Sequence, residues 1–243
     1  TTRSRDDGRT WDPLIKVPSP TGDCTSTSDP ILELPSGELL IPIIGAQHGE
    51  QPRTMVMRSR DRGQTWAEPS VMAFDPLGQF HFDEPSLLAL PDGRVLAMHR
   101  VHLKGETEYG YYLYQTESAD DGRTWSAPKP TPIWGHPPHL TGLRSGAVLC
   151  VYGYRRPPYG VRACLSHDGG KTWDIQHELI LRADGIDGDV GYPTAAQLPD
   201  GRVFVAWYMA AADEEAKHVG EHFAIFAYTS PLVYLGGTFC REE

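Results

Sequence analysis

Short apolar runs separated by Pro, Gly, Ser and Asp clusters fill this chain, and none of them sustains a helical period. One unit recurs: an apolar run, a tight turn, and a second apolar run. Asp29 to Ile41 around the Pro35-Ser-Gly37 turn forms the first copy, and Glu84 to Ala97 around Pro91-Asp-Gly93 forms the second. Pro138 to Cys150 around Ser145-Gly146 and Tyr192 to Val205 around Pro199-Asp-Gly201 form the others. Each predicts a β-hairpin. A second pattern, Ser-x-Asp-x-Gly-x-Thr-Trp, occurs at Ser4–Trp11, Ser59–Trp66, Ser118–Trp125 and Ser166–Trp173, at roughly 50-residue intervals. Its Asp can accept backbone N–H groups within the turn, its Gly supplies a positive-φ position, and its Trp is available to pack between repeats.

Adding a third strand before each such turn and a fourth after it predicts four-stranded antiparallel sheets over about 28–74, 81–133, 138–182 and 190–230. The last unit has no Ser-Asp-Gly-Trp turn. Residues 1–18 contribute one such turn and an outer strand, Leu14 to Val17. Met209 to Glu221 reads as a surface loop or a single helical turn.

The repeated turn is the Asp box, and the chain resembles the sialidase (neuraminidase) superfamily. That resemblance implies an all-β fold, a six-bladed β-propeller, here a single domain over 1–243 with about four full blades and part of another. It also implies that Asp6, Asp61, Asp120 and Asp168 are structural, on the rim and remote from the chemistry. Family members begin with a hairpin and an Arg-bearing strand before the first box, so the expectation is a chain lacking most of its first blade. The alternative is a small ring in which the N-terminal strand closes the boxless last blade.

Composition adds exclusions. At 243 residues, 40% apolar and 22% charged, one domain with a substantial core is expected. The formal charge of −10 argues against nucleic acid as a partner, while a locally basic pocket can still take an anion. No apolar run approaches the ~20 residues that span a bilayer. Cys24, Cys150, Cys164 and Cys240 lack metal-ligand spacing, and Cys150 and Cys164 read as buried thiols in strands. The sequence starts without Met or a signal-like segment, which leaves the compartment open, secreted and periplasmic ones included. Oligomeric state is not encoded legibly.

Candidate chemistry sits where the repeats stop agreeing, just before each hairpin opens: Asp83-Glu84, His136-Pro137 with His139, and Gly191-Tyr192. Glu84 to Arg100 resembles the sialidase segment in which a Glu polarises a tyrosine and an Arg clamps the substrate carboxylate. Tyr192 to Tyr208 resembles the segment that carries the nucleophilic tyrosine. Sialic acid bears a carboxylate on its anomeric carbon, and a second anion would be repelled there, so a neutral tyrosine activated by Glu84 suits it. Arg100 would fork onto the carboxylate. Competing structural roles are a channel-lining aromatic for Tyr192 and a cross-strand ion pair for Glu84 and Arg100.

A further carboxylate-binding Arg is expected from Arg155, Arg156 or Arg162, between which alternation cannot choose without register. Tyr154 and Tyr159 with the two prolines between them make a stiff aromatic loop suited to stacking on a sugar. His136 and His139 are candidates for binding hydroxyls, for acid/base work, or as a metal pair, although no carboxylate or Cys lies at convincing spacing. Asp187 and Asp189 are acid or hydroxyl-binding candidates, or turn formers. The family's acid/base aspartate and first carboxylate-binding arginine fall before the first box, so the chain as it stands is expected to be weak or inactive. Three readings follow: a sialidase-like exo-glycoside hydrolase with a carbohydrate substrate and no cofactor, a non-catalytic propeller that binds a glycan or protein through Tyr154, Tyr159 or Trp134, and a metal-dependent or lyase-type propeller on His136 and His139.

Overall fold

A computed structural model describes residues 1–21, 24–46, 52–105, 112–211 and 232–241. Its strands form four antiparallel sheets in chain order. The first contains β1 (Cys24–Ser26), β2 (Leu32–Glu33), β3 (Leu39–Ala46), β4 (Arg53–Ser59) and β5 (Ala67–Ala73), with β1 and β2 both pairing to β3. The second runs β6 (Phe80–Ala89), β7 (Val95–Leu103), β8 (Tyr112–Ser118) and β9 (Lys129–Trp134). The third runs β10 (Pro138–Gly142), β11 (Val148–Tyr154), β12 (Tyr159–Ser166) and β13 (Leu179–Gly185), and the fourth β14 (Val190–Gln197), β15 (Arg202–Ala211) and β16 (Leu232–Arg241).

The sheets are the all-β blades expected of the repeats, and β16 carries the fourth beyond residue 230. Met209 to Ala211 end β15 rather than a loop; residues 212–221 of that stretch lie outside the described residues. A single 3-10 turn, Ile175–His177, is the only helix among the described residues. Among those residues no helix is long and apolar enough to cross a membrane.

Core forms between neighbouring sheets because each presents apolar residues on both faces. Leu96, Met98, Leu113 and Ile133 of the second sheet meet Leu140, Cys150, Tyr152 and Cys164 of the third. Leu149, Val151 and Val161 on the other face of the third meet Val190, Val205, Trp207 and Met209 of the fourth. Cys150 and Cys164 are paired across β11 and β12 as buried free thiols. Residues 1–15 close on themselves, with Ile15 N–H donating to Thr1 O at 2.7 Å, and Ile15 and Val17 pack on Ile41, Ile43, Met55 and Trp66 of the first sheet. The N-terminal stretch therefore packs on the first sheet.

Every box is built alike. In the second, Asp61 accepts the Thr65 N–H at 2.8 Å and the Thr65 hydroxyl, while Ser59 Oγ accepts the Gly63 N–H at 2.7 Å. The same bonds recur around Asp6, Asp120 and Asp168. Boxes also clamp onto the preceding sheet. Arg58 Nη2 donates to Asp121 O at 2.5 Å, and Arg94 Nη2 donates to Gly169 O at 3.1 Å. The Trp125 indole donates to Ser70, and that of Trp173 to Gln115. Trp11 is 62% exposed and its indole turns back to Gly8 O of its own box.

Strands that open each sheet stand side by side, β6 against β2 and β3, β10 against β6, and β14 against β10. Three of the four are interrupted, while β10 pairs with β11 without a break. Pairing of the first sheet breaks between β1 and β2, where Asp29 lies; β6 bulges between Asp83 and Ser86, and β14 between Gly191 and Thr194. These interruptions re-aim side chains that regular alternation would leave packed against a neighbouring sheet.

Candidate active site

Glu84 and Tyr192 occupy the bulges of β6 and β14 in positive-φ backbone, at φ 40 and φ 42, a region that disfavours side-chain-bearing residues. Strain of this kind persists where the surroundings over-determine it, and here both residues point at each other. The Tyr192 hydroxyl donates to Glu84 Oε1, and Arg100 Nη1 donates to Glu84 Oε2 at 2.8 Å. Asp83 pairs with Arg100 in register across β6 and β7, which brings the guanidinium beside the bulge.

Close backbone approach lets the third and fourth sheets meet here. A Cβ on Gly153 would lie 2.6 Å from His136 O and 2.8 Å from the Gly191 Cα, so only glycine fits. Tyr192 is 43% exposed, stacks on Tyr208 at 5.8 Å, and has the Arg155 guanidinium 6.0 Å from its ring centre. Arg155 is held by Nε donating to Val190 O at 2.8 Å and Nη2 donating to the Tyr208 hydroxyl at 3.2 Å. Tyr208 in turn donates to Asp189 at 2.8 Å, and Asp187 accepts the Asp189 N–H in a turn.

Burial, and then the bond to Glu84, push the Tyr192 phenol up to about 12, against the opposing pull of Arg100 and Arg155. The hydroxyl is thus neutral at working pH and needs a base to become a nucleophile. Burial first, and then the neighbouring Arg100, lower His102 to about 4; Asp83 is raised by burial and by Glu84.

A cavity of about 330 Å³ opens beside this pair, lined by Asp29, Glu84, His139, Tyr192 and Thr194 with Ser28 and four prolines. His139 Nδ1 lies 3.1 Å from Asp29 Oδ1, and Asp29 Oδ2 accepts the Leu87 N–H at 3.2 Å. Hydrogen bonding at this level links all four sheets, since His139 Nε2 faces Thr194 Oγ1 at 3.4 Å.

Register separates the remaining candidates. Tyr152 and Tyr154 lie on the face of the third sheet that packs on the second sheet, and Arg162 is opposite Tyr152 on β12, so it shares that face. There Arg162 donates to Glu178 and covers the Tyr154 ring at 3.3 Å. Arg156 donates to the Tyr154 hydroxyl at 2.7 Å and stacks over Trp134 at 4.1 Å. Arg155, one residue past Tyr154, turns to the opposite side and is the arginine of this trio that meets Tyr192. Tyr154 is buried beneath Trp134 and Arg162, apart from the cavity.

His136 is fully buried with its ring 5.9 Å from that of His102, and does not line the cavity that His139 lines. Among the described residues no three His, Cys, Asp or Glu side chains are grouped to hold a metal ion. Asp29, Thr194 and Tyr208 were not singled out from sequence. The signal for Asp29 was present, because it immediately precedes the hairpin-opening Pro30 just as Glu84 precedes Pro85 and Tyr192 precedes Pro193.

Comparison with known proteins accords with this architecture. A protein of unknown function from Dyadobacter fermentans superimposes with a TM-score of 0.78 at 26% identity, over 99% of this chain and 63% of its own. A Hadza microbial sialidase gives 0.58 at 22%, over 73% and 40%. The Penicillium chrysogenum alpha-L-arabinanase gives 0.62 at 20%, over 85% and 61%. The chain thus spans less than two thirds of each of these proteins. No curated protein matches the sequence. The model of the BNR repeat-like domain matches residues 1–205, so the chain belongs to that family and carries its sialidase-like propeller fold.

Proposed function

We propose that this chain forms the greater part of a glycoside hydrolase site that removes a terminal acidic sugar, sialic acid or a close analogue, from a glycoconjugate. The observation that carries the reading is the Tyr192 hydroxyl bonded to a Glu84 carboxylate whose other oxygen is held by Arg100. Glu84 takes the phenolic proton as Tyr192 attacks the anomeric carbon, giving an aryl glycoside intermediate. Arg100 keeps Glu84 aimed, and its buried Nε makes no hydrogen bond among the described residues. Together with Arg155 it supplies two guanidinium groups near Tyr192 for a substrate carboxylate. A neutral nucleophile between two arginines fits an anionic sugar better than the neutral arabinan implied by the name of the Penicillium relative.

Hydrolysis of a fluorogenic α-sialoside and of an α-L-arabinofuranoside by wild type and Tyr192→Phe, each assayed both as this chain and in a form extended upstream by a complete first blade, tests this. The expected result is turnover of the sialoside alone, lost in Tyr192→Phe with an unchanged thermal midpoint. Preference for the arabinoside, or turnover indifferent to Tyr192→Phe, overturns the reading, and no turnover of any glycoside leaves a binding propeller in its place.

A further inference from the structure

We propose that His139, oriented by Asp29, is the acid/base residue of this site, an inference that rests on the nucleophile assigned to Tyr192. Four side chains lining the cavity titrate: Asp29, Glu84, His139 and Tyr192. Glu84 and Tyr192 are bonded to each other, and Glu84 also to Arg100. Asp29 has one oxygen on His139 Nδ1 and the other on the Leu87 N–H. The weakest of these commitments is that of His139 Nε2. Its Nε2 has Thr194 Oγ1 at 3.4 Å, too long for a strong bond, and Thr194 lines the same cavity from β14, the strand that carries Tyr192. An imidazole fixed at Nδ1 by a carboxylate and open at Nε2 is arranged for proton transfer at Nε2.

The steps balance. As the Tyr192 oxygen bonds to the anomeric carbon and its proton passes to Glu84, the glycosidic bond breaks, and its electron pair stays on the departing oxygen. That oxygen takes the proton from His139 Nε2. Water then attacks the anomeric carbon and gives a proton back to Nε2, while the Tyr192 oxygen leaves and recovers its proton from Glu84. Asp29 touches neither substrate nor reacting atom and is a positioning residue.

Asp29 and His139 also stitch the sheets together, so the test must read more than loss of activity. His139→Ala and His139→Gln are assayed on a sialoside with an alkyl leaving group and on its 4-nitrophenyl counterpart, with and without azide. The alkyl substrate is expected to lose about 10²–10⁴-fold in kcat/KM and the nitrophenyl substrate less than about 10-fold, because a good leaving group needs no proton. Azide, which needs no base to attack, is expected to restore turnover as glycosyl azide. His139→Gln, which keeps a polar partner for Thr194, guards against a folding effect. Equal losses on both substrates without azide rescue overturn the acid/base assignment while leaving Tyr192 in place; a wild type inert on both overturns the site reading and this with it. Independently of turnover, nitrogen NMR of the neutral His139 ring is expected to show the proton on Nδ1, with a mixture of tautomers in Asp29→Asn. A proton on Nε2 in wild type would refute the inference.

Discussion

Glu84 and Tyr192 are separated by a whole blade in sequence and touch because each replaces a regular strand position with left-handed backbone. Glu84→Gln keeps the shape and a partner for Tyr192 but removes the base, so kcat is expected to fall about 10²–10⁴-fold while KM changes little. Arg155→Lys keeps a charge and loses the planar fork. It should raise KM for the acidic glycoside about 10–100-fold in steady-state assays. A Tyr192 phenol near 12 also means that activity should not rise with phenol ionisation between pH 7 and pH 9.

Within each element, the box bonds set an acid limit. Asp120 is lowered from 3.8 to about 2, first by the Thr124 backbone N–H and then by its hydroxyl. The folded carboxylate stays ionised where the unfolded one has taken up a proton, so its contribution is complete above pH 3.8 and is lost as pH falls towards 2. Asp120→Asn is expected to lower Tm by about 2–4 °C at neutral pH and to flatten the fall in stability across that acid window, as read by scanning calorimetry. Histidines act higher on the scale: full burial between Thr54 and Thr116 lowers His99 to about 3, so unfolding takes up a proton there as pH drops below 6.5.

Elements were also where sequence was most informative. The box turns and hairpins follow from local chemistry, in which Gly, Asp and Pro fix backbone shape without help from the rest of the chain. What stayed hidden was the facing of residues. Arg155 and Arg162 look equivalent until β11 and β12 are aligned, when Arg162 falls opposite Tyr152 and is claimed by Glu178. Asp29 precedes its hairpin-opening proline as Glu84 and Tyr192 do, but its partners, Leu87 and His139, belong to other blades and leave no trace in the local sequence.

Across the whole molecule, stability is a sum of interfaces between neighbouring sheets. Arg58 is nearly fully buried, pairs with Glu38 at 2.6 Å, and reaches across to Asp121 O. Arg58→Ala is expected to cost about 3 kcal/mol, since Glu38 loses its closest partner and a carbonyl its donor. The sharper expectation concerns shape: urea unfolding followed by Trp66 and Trp173 fluorescence, each isolated by Trp→Phe replacements elsewhere, should split into two transitions as the first sheet uncouples. A single coincident transition would show that the clamp is not what joins these blades.

Because the Asp120 and Asp168 boxes are each covalently part of one blade and docked on the one before it, the sequence repeat and the cooperative unit are out of phase. Dividing the chain between sheets, for instance after residue 135, would strand Arg94 and Gln115 without the Gly169, Gly170 and Trp173 partners they grip. Every cut between Arg58 and Trp173 breaks at least one of these clamps, so a segment meant to stand alone, or to be grafted onto another propeller, should begin before Arg58 and end after Trp173, where these boxes travel with the arginines that hold them.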